Sequence, residues 1–118
     1  MAHAQRLKLC ASELLLDGGT GFRFEVQSNG RQCPAFAVRH EGKAYAYLNR
    51  CAHIGVELDW QRGQFFDQES KRLICATHGA LYEPHSGKCV EGPCRGQSLT
   101  PVPVQEEGGY IYFLTQSN

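Results

Sequence analysis

Apolar and polar side chains alternate along this chain in short runs, the pattern of half-buried β-strands rather than of helices. Phe22, Phe24 and Val26 interleave with Arg23, Glu25 and Gln27, which predicts a strand with its apolar face inward. Residues 34–40 and 43–49 flank Glu41-Gly42, a hairpin signal. In the second of these runs Ala44, Ala46 and Leu48 share one face, and Tyr45 and Tyr47 the other. Residues 99–104 and 110–114 flank Glu106-Glu107-Gly108-Gly109 and predict a closing hairpin. Residues 6–10 read as a first strand paired with one of the others, and residues 72–75 as a short strand. Only residues 11–16 suit a helical turn, which Asp17-Gly18-Gly19 ends.

Many short strands joined by glycine-containing turns predict an all-β fold, a small antiparallel β-sandwich or barrel base. The segment from about residue 50 to residue 94 interrupts that framework with two loops and forms a subdomain on top of it. At 118 residues the chain suits one domain, 1–118, and 42% hydrophobic content supports a core without disulfides. Acidic and basic residues balance at 12 each, so nothing suggests nucleic acid and the total charge supplies no steering field. No apolar run approaches the ~18 residues of a membrane span. The start, Met1-Ala2-His3-Ala4-Gln5-Arg6-Leu7, lacks the apolar stretch of a signal peptide, so no membrane association is expected.

The chemistry lies in two cysteine–histidine pairs, Cys51-Ala52-His53 and Cys75-Ala76-Thr77-His78, with 21 residues (54–74) between them. Each pair offers a thiolate and an imidazole, and together they make a four-ligand set. Two occupants suit two sulfurs with two nitrogens. One is a [2Fe–2S] centre with two Cys on one iron and two His on the other; the other is a closed structural zinc site. Ile54-Gly55-Val56-Glu57-Leu58 follows the first pair, and Gly79-Ala80-Leu81-Tyr82-Glu83 the second. Ser86-Gly87-Lys88-Cys89 and Glu91-Gly92-Pro93-Cys94 come next. This string resembles the Rieske family: C-x-H-x-G-x-x-L, C-x-x-H-G-x-x-Y/F, a Ser/Thr-Gly turn and a Gly-Pro loop. The resemblance is specific over residues 51–94 and compatible with nearly the whole chain. The spacer is a few residues longer than such proteins usually show. The excess is expected at 59–72, as an extended hairpin with a charged tip, Asp67-Gln68-Glu69-Ser70-Lys71.

The resemblance implies one [2Fe–2S] cluster per chain, held by Cys51, His53, Cys75 and His78, with the histidines at an exposed tip. Two thiolates cancel the two positive charges of the oxidised core, so adding an electron costs less than in a four-cysteine cluster. Gly55 and Gly79 are expected to permit the backbone angles and close approach of tight ligand loops, and Gly92-Pro93 to pack over the cluster and limit water. In high-potential members a serine two places after the second histidine, and a tyrosine two further on, donate hydrogen bonds to the cluster and its ligands. Here those positions are Ala80 and Tyr82, which predicts a potential in the lower part of the Rieske range. Respiratory-complex members carry an anchor and two further cysteines beside the ligands, where this chain has Val56 and Thr77. The resemblance is therefore to a soluble, cytoplasmic, ferredoxin-type member.

Such a protein is a non-catalytic electron carrier. It takes one electron from a flavin-dependent reductase and passes it to a terminal oxygenase, or serves as a small subunit of a reductase such as nitrite reductase. A structural zinc module that binds a partner is the alternative from another class. Among the remaining cysteines, Cys10 and Cys33 read as small buried residues; Cys89 and Cys94 could lie close together beneath the proline loop, where free thiols are preferred to a disulfide because cytoplasmic thiols stay reduced. His3, His40 and His85 read as surface residues, and Trp60 as a packing residue.

Overall fold

The protein is described by a computed structural model that covers residues 3–28, 30–52, 56–59, 61–75 and 79–117. His53, Ile54, Gly55, Trp60, Thr77 and His78 lie outside the described residues, and so do the expectations that rest on them. Among the described residues nine strands form three antiparallel three-stranded sheets, so the all-β expectation holds. The first sheet joins β1 (His3–Ala11), β9 (Tyr110–Ser117) and β8 (Val104–Glu107). The second joins β2 (Phe22–Ser28), β3 (Arg31–His40) and β4 (Lys43–Leu48). The third is small: β5 (Leu73–Ile74), β6 (Leu81–Tyr82) and β7 (Cys89–Glu91). A single 3-10 turn, Ser12–Leu14, stands where a helical turn was expected. No helix among the described residues is long and apolar enough to cross a membrane.

The β2–β3–β4 sheet is the partition of the molecule, because both of its faces are covered. Pairing sets Phe36 opposite Tyr47 and Val38 opposite Tyr45, while Ala35 faces Leu48 and Ala37 faces Ala46. Alternation then sends the two sets to opposite sides. Ala35, Ala37, Ala46 and Val26 join Cys10, Val102 and Ile111 in one core, against the first sheet. Phe36, Val38 and Tyr47 join Leu58, Phe65, Leu73, Tyr82 and the thiol-bearing residues Cys51, Cys75, Cys89 and Cys94 in the other. Phe36 and Phe65 stack with ring centroids 4.0 Å apart, which ties residues 61–66 to the sheet.

Side chains lock the base at its corners. The Arg39 guanidinium donates to the carbonyls of Leu15, Ser12 and Gly42 and pairs with Glu106 at 2.7 Å. Glu41 and Gly42 both have positive φ, and the Asp17 carboxylate accepts both of their N–H groups.

Four expectations need correction. The closing hairpin turns on Gly108-Gly109 alone, and its first strand starts at Val104 rather than residue 99. Pro101 and Pro103 lack the N–H a regular strand needs, so residues 100–102 run along β4 through only two bonds, Leu48 N–H to Thr100 O and Val102 N–H to Ala46 O. The spacer hairpin is short: Phe66 bridges Leu73, and Asp67 caps the tip by accepting from the Lys71 and Arg72 N–H groups. Residues 59–63 instead turn on Asp59, whose carboxylate accepts the Gly63 N–H at 2.8 Å. Finally, Cys10 is buried but Cys33 is half-buried. His40 is no surface residue: its ring lies mostly buried beside Phe66, with Nδ1 lacking a hydrogen-bond partner.

Candidate metal centre

Each cysteine of the two pairs sits where a strand of a covered sheet gives way to a loop. Cys51 follows β4 by way of Asn49 and Arg50, and Cys75 follows β5 directly. Both loops close in the same way. The Cys51 N–H donates to the Val56 carbonyl at 2.6 Å, and the Cys75 N–H to the Ala80 carbonyl at 2.9 Å, five residues on in each case. The Gly79 N–H also donates back to the Cys75 carbonyl at 2.7 Å. Gly79 has φ +73, while a Cβ there would meet nothing within 4 Å. The backbone angle at this position favours glycine.

Both cysteines are buried, at 3% and 0% exposure, within one apolar cluster that also holds Ala80 and Tyr82. Ala80 offers no donor. The Tyr82 oxygen lies 3.3 Å from the Cys51 sulfur and accepts the Ala52 N–H at 3.0 Å. Burial pushes the Tyr82 hydroxyl far above its ordinary value, so it keeps its proton and is available as a donor. Gly92 has φ +103, and a Cβ there would come within 2.8 Å of the Ala80 Cα. The Gly-Pro turn is therefore pressed against the base of the second loop, while Pro93 itself is exposed.

Two residues that sequence reasoning missed hold the first loop in place. Asn49 is fully buried; its amide donates to Asp59 at 2.8 Å and its oxygen accepts the Leu58 N–H at 2.8 Å. Asp59, 5% exposed, also has the Arg23 guanidinium at 3.6 Å. Arg23 meanwhile pairs with Glu57 at 2.7 Å. The return of the loop, residues 57–59, is thus tied to the partition sheet by side chains instead of strand pairing. A polar residue directly after the last apolar residue of β4, and an aspartate four residues before a glycine, were the available signals.

Elsewhere, Tyr47, its hydroxyl pushed up to about 12 by burial, donates to the Pro84 carbonyl at 2.6 Å and secures the turn after β6. His85 in that turn is exposed, as expected. Cys89 and Cys94 do lie together, with sulfurs 2.9 Å apart and unbonded.

The comparisons agree with this architecture. Residues 5–106 match the Rieske [2Fe-2S] domain, so the chain belongs to that family. It is 34% identical over 81 residues to the Rieske iron–sulfur subunit of the cytochrome bc1 complex from Corynebacterium glutamicum, a stretch covering 67% of this chain and 18% of that subunit. The chain thus spans about a fifth of the length of the curated relatives it matches. In fold it resembles the ferredoxin of carbazole 1,9a-dioxygenase from Nocardioides aromaticivorans, with TM-score 0.69, 21% identity, and 92% of this chain and 96% of that one covered. It likewise resembles a chain in the complex of reduced oxygenase and oxidized ferredoxin of carbazole 1,9a-dioxygenase, with TM-score 0.69, 22% identity, and 92% and 91% covered.

A Rieske domain binds a [2Fe–2S] cluster, which decides between iron–sulfur and zinc. The described residues fit that group. Two buried cysteines sit in one apolar cluster, and a phenol stands beside one of their sulfurs.

Proposed function

We propose that this chain is a one-electron carrier in which Cys51, His53, Cys75 and His78 hold the cluster. Its role is to relay electrons from a flavin-dependent reductase to a terminal oxygenase in the cytoplasm. The observation that carries the reading is the Tyr82 hydroxyl at 3.3 Å from the buried Cys51 sulfur, in a loop closed by its own backbone. When bound, the cluster supplies reversible uptake of a single electron. The chain's own residues supply the rest. The closed loops fix where Cys51 and Cys75 present their sulfurs, Tyr82 donates to a ligand sulfur, and the Gly92 turn with its apolar neighbours keeps water out.

The fold-level likeness to dioxygenase ferredoxins supports an oxygenase as the acceptor. Thiols left unbonded at Cys10, Cys33, Cys89 and Cys94 accord with a reducing compartment.

The test is analytical first. Purified protein should hold two irons and two acid-labile sulfides per chain, and one zinc without sulfide would overturn the reading. Reconstitution with a flavin-dependent reductase and a ring-hydroxylating oxygenase should then give product only when this chain is present. Product formed equally well in its absence rejects the relay.

A further inference from the structure

A second sulfur pair lies beside the candidate centre. Cys89 is in β7 and Cys94 follows the Gly92-Pro93 turn, each 1% exposed. The Cys94 thiol donates to the Cys89 sulfur at 2.9 Å, and the Cys89 thiol to the Glu91 carbonyl at 3.2 Å. A disulfide bond measures about 2.05 Å, so bonding asks the sulfurs to approach by less than ~1 Å. The turn that sets their separation is pinned against Ala80 through Gly92. The pair also touches the site: the Tyr82 oxygen is 3.1 Å from the Cys94 sulfur and 3.3 Å from that of Cys51. A phenol has one proton to give, and two sulfurs compete for it.

We propose that Cys89 and Cys94 form a reversible dithiol–disulfide pair whose state decides which sulfur the Tyr82 hydroxyl serves. The coupling rests on the reading of Cys51 as a cluster ligand. The oxidant is a hydroperoxide, small enough to reach a buried pair; hydrogen peroxide is the simplest. One sulfur attacks a peroxide oxygen and breaks the O–O bond, giving a sulfenic acid and water. The second sulfur then displaces the sulfenic oxygen, which leaves as water. Two thiols and one hydrogen peroxide thus give one disulfide and two waters. The sulfurs lose two electrons to the peroxide oxygens, and both thiol protons end in water.

The consequence lies in hydrogen bonding more than in stability. The bond would close only residues 89–94, and loop-closure stabilisation is smallest for short loops. In the dithiol, Cys94 gives its proton to Cys89 and Cys89 to the Glu91 carbonyl, so the Tyr82 hydroxyl is shared between the Cys94 and Cys51 sulfurs. Oxidation removes both thiol protons, and the hydroxyl turns to Cys51, a charged ligand and the stronger acceptor. A donor on a ligand sulfur favours the electron-rich reduced centre, so the potential rises.

Lys88 and Arg95 bracket the pair, so trypsin releases both cysteines in one peptide, 89–95. Cluster-loaded protein is treated with stoichiometric hydrogen peroxide, alkylated under denaturing conditions, and digested. Peptide 89–95 should lose about 2 Da and take no alkyl group, while iron content and visible spectrum persist. Dithiothreitol should restore two alkylation sites. The potential should shift upward on oxidation in the unmodified chain and not in Tyr82→Phe, which should form the same disulfide. Two alkylated cysteines after peroxide, or iron loss before the peptide changes, overturns the pair. A shift absent from the unmodified chain, or kept in Tyr82→Phe, overturns the coupling. The peptide mass does not depend on which residues bind iron. If Cys51→Ser kept its iron, the ligand reading and the coupling would fall while the disulfide stood.

Discussion

The two faces of the β2–β3–β4 sheet are built by different means. On one, Ala35, Ala37 and Ala46 lie flat against a regular sheet, and strands of four to nine residues carry the structure through backbone ladders. On the other, Phe36 and Tyr47 join aromatic rings and thiols, and the strands are only two or three residues long. A surface so poor in ladder bonds must be positioned by side chains, loop closure and whatever the loops bind. The base should therefore fold without the cofactor, whereas the tip depends on it.

The sharpest way to break that contrast is to remove a ligand. Cys51→Ser or Cys75→Ser should abolish the visible spectrum and reduce bound iron to background, while far-UV circular dichroism keeps the β signal of the base. A variant with full iron rejects the ligand assignment. Next in size, Asn49→Ala leaves the Leu58 N–H without its acceptor and takes one of three partners from the buried Asp59 carboxylate, which keeps the Gly63 N–H and Arg23. It should cost about 1–3 kcal/mol in urea unfolding and hasten cluster loss. An equally large defect on the other face, such as overpacking by Ala37→Leu at about 1–3 kcal/mol, should lower stability and leave the potential unmoved.

A finer probe acts on the potential alone. The centre should lie in the lower part of the roughly −150 to +300 mV span of Rieske centres, since Ala80 supplies no donor. Tyr82→Phe should lower the value further and Ala80→Ser raise it, with iron content unchanged; spectroelectrochemical titration reads both. Smaller still is an effect of acid on the base. The Arg39 guanidinium holds the Glu106 carboxyl below its usual 4.5. A carboxyl whose folded pKa is depressed adds stability in full above its unfolded value and loses it as pH falls through the folded one. Glu106→Gln should therefore lower stability slightly at pH 7 and flatten the acid limb of the profile below about pH 4.5, so that the two proteins converge in acid. Smallest of all, His85→Ala should alter neither spectrum nor stability.

The contrast also explains what could be read from sequence. Alternation told the faces of β2, β3 and β4 apart because each face is apolar with its own partner, as with Ala46 and Tyr47. The cysteine positions were legible because their spacing is chemical, and Gly79 and Gly92 because few residues tolerate their backbone angles. Asn49 and Asp59 escaped notice because a buried polar pair has no periodicity; it is defined only once residues 49 and 59 meet in space. His40 was misjudged as a surface residue because its burial comes from Phe66, on a spacer whose path no local pattern specifies. The late start of β8 had a visible cause in Pro101 and Pro103, but the alternation around them outweighed it.

Those prolines have a use beyond ending a strand. Thr100 and Val102 spend their inward backbone groups on β4, so Pro101 turns its own nitrogen outward, where a strand would present an N–H. A proline there presents none. The flank beyond β4 therefore lacks one donor that ribbon-like stacking by a neighbouring molecule would use, a form of insurance against aggregation on that side of the partition sheet, while β2 forms the opposite edge.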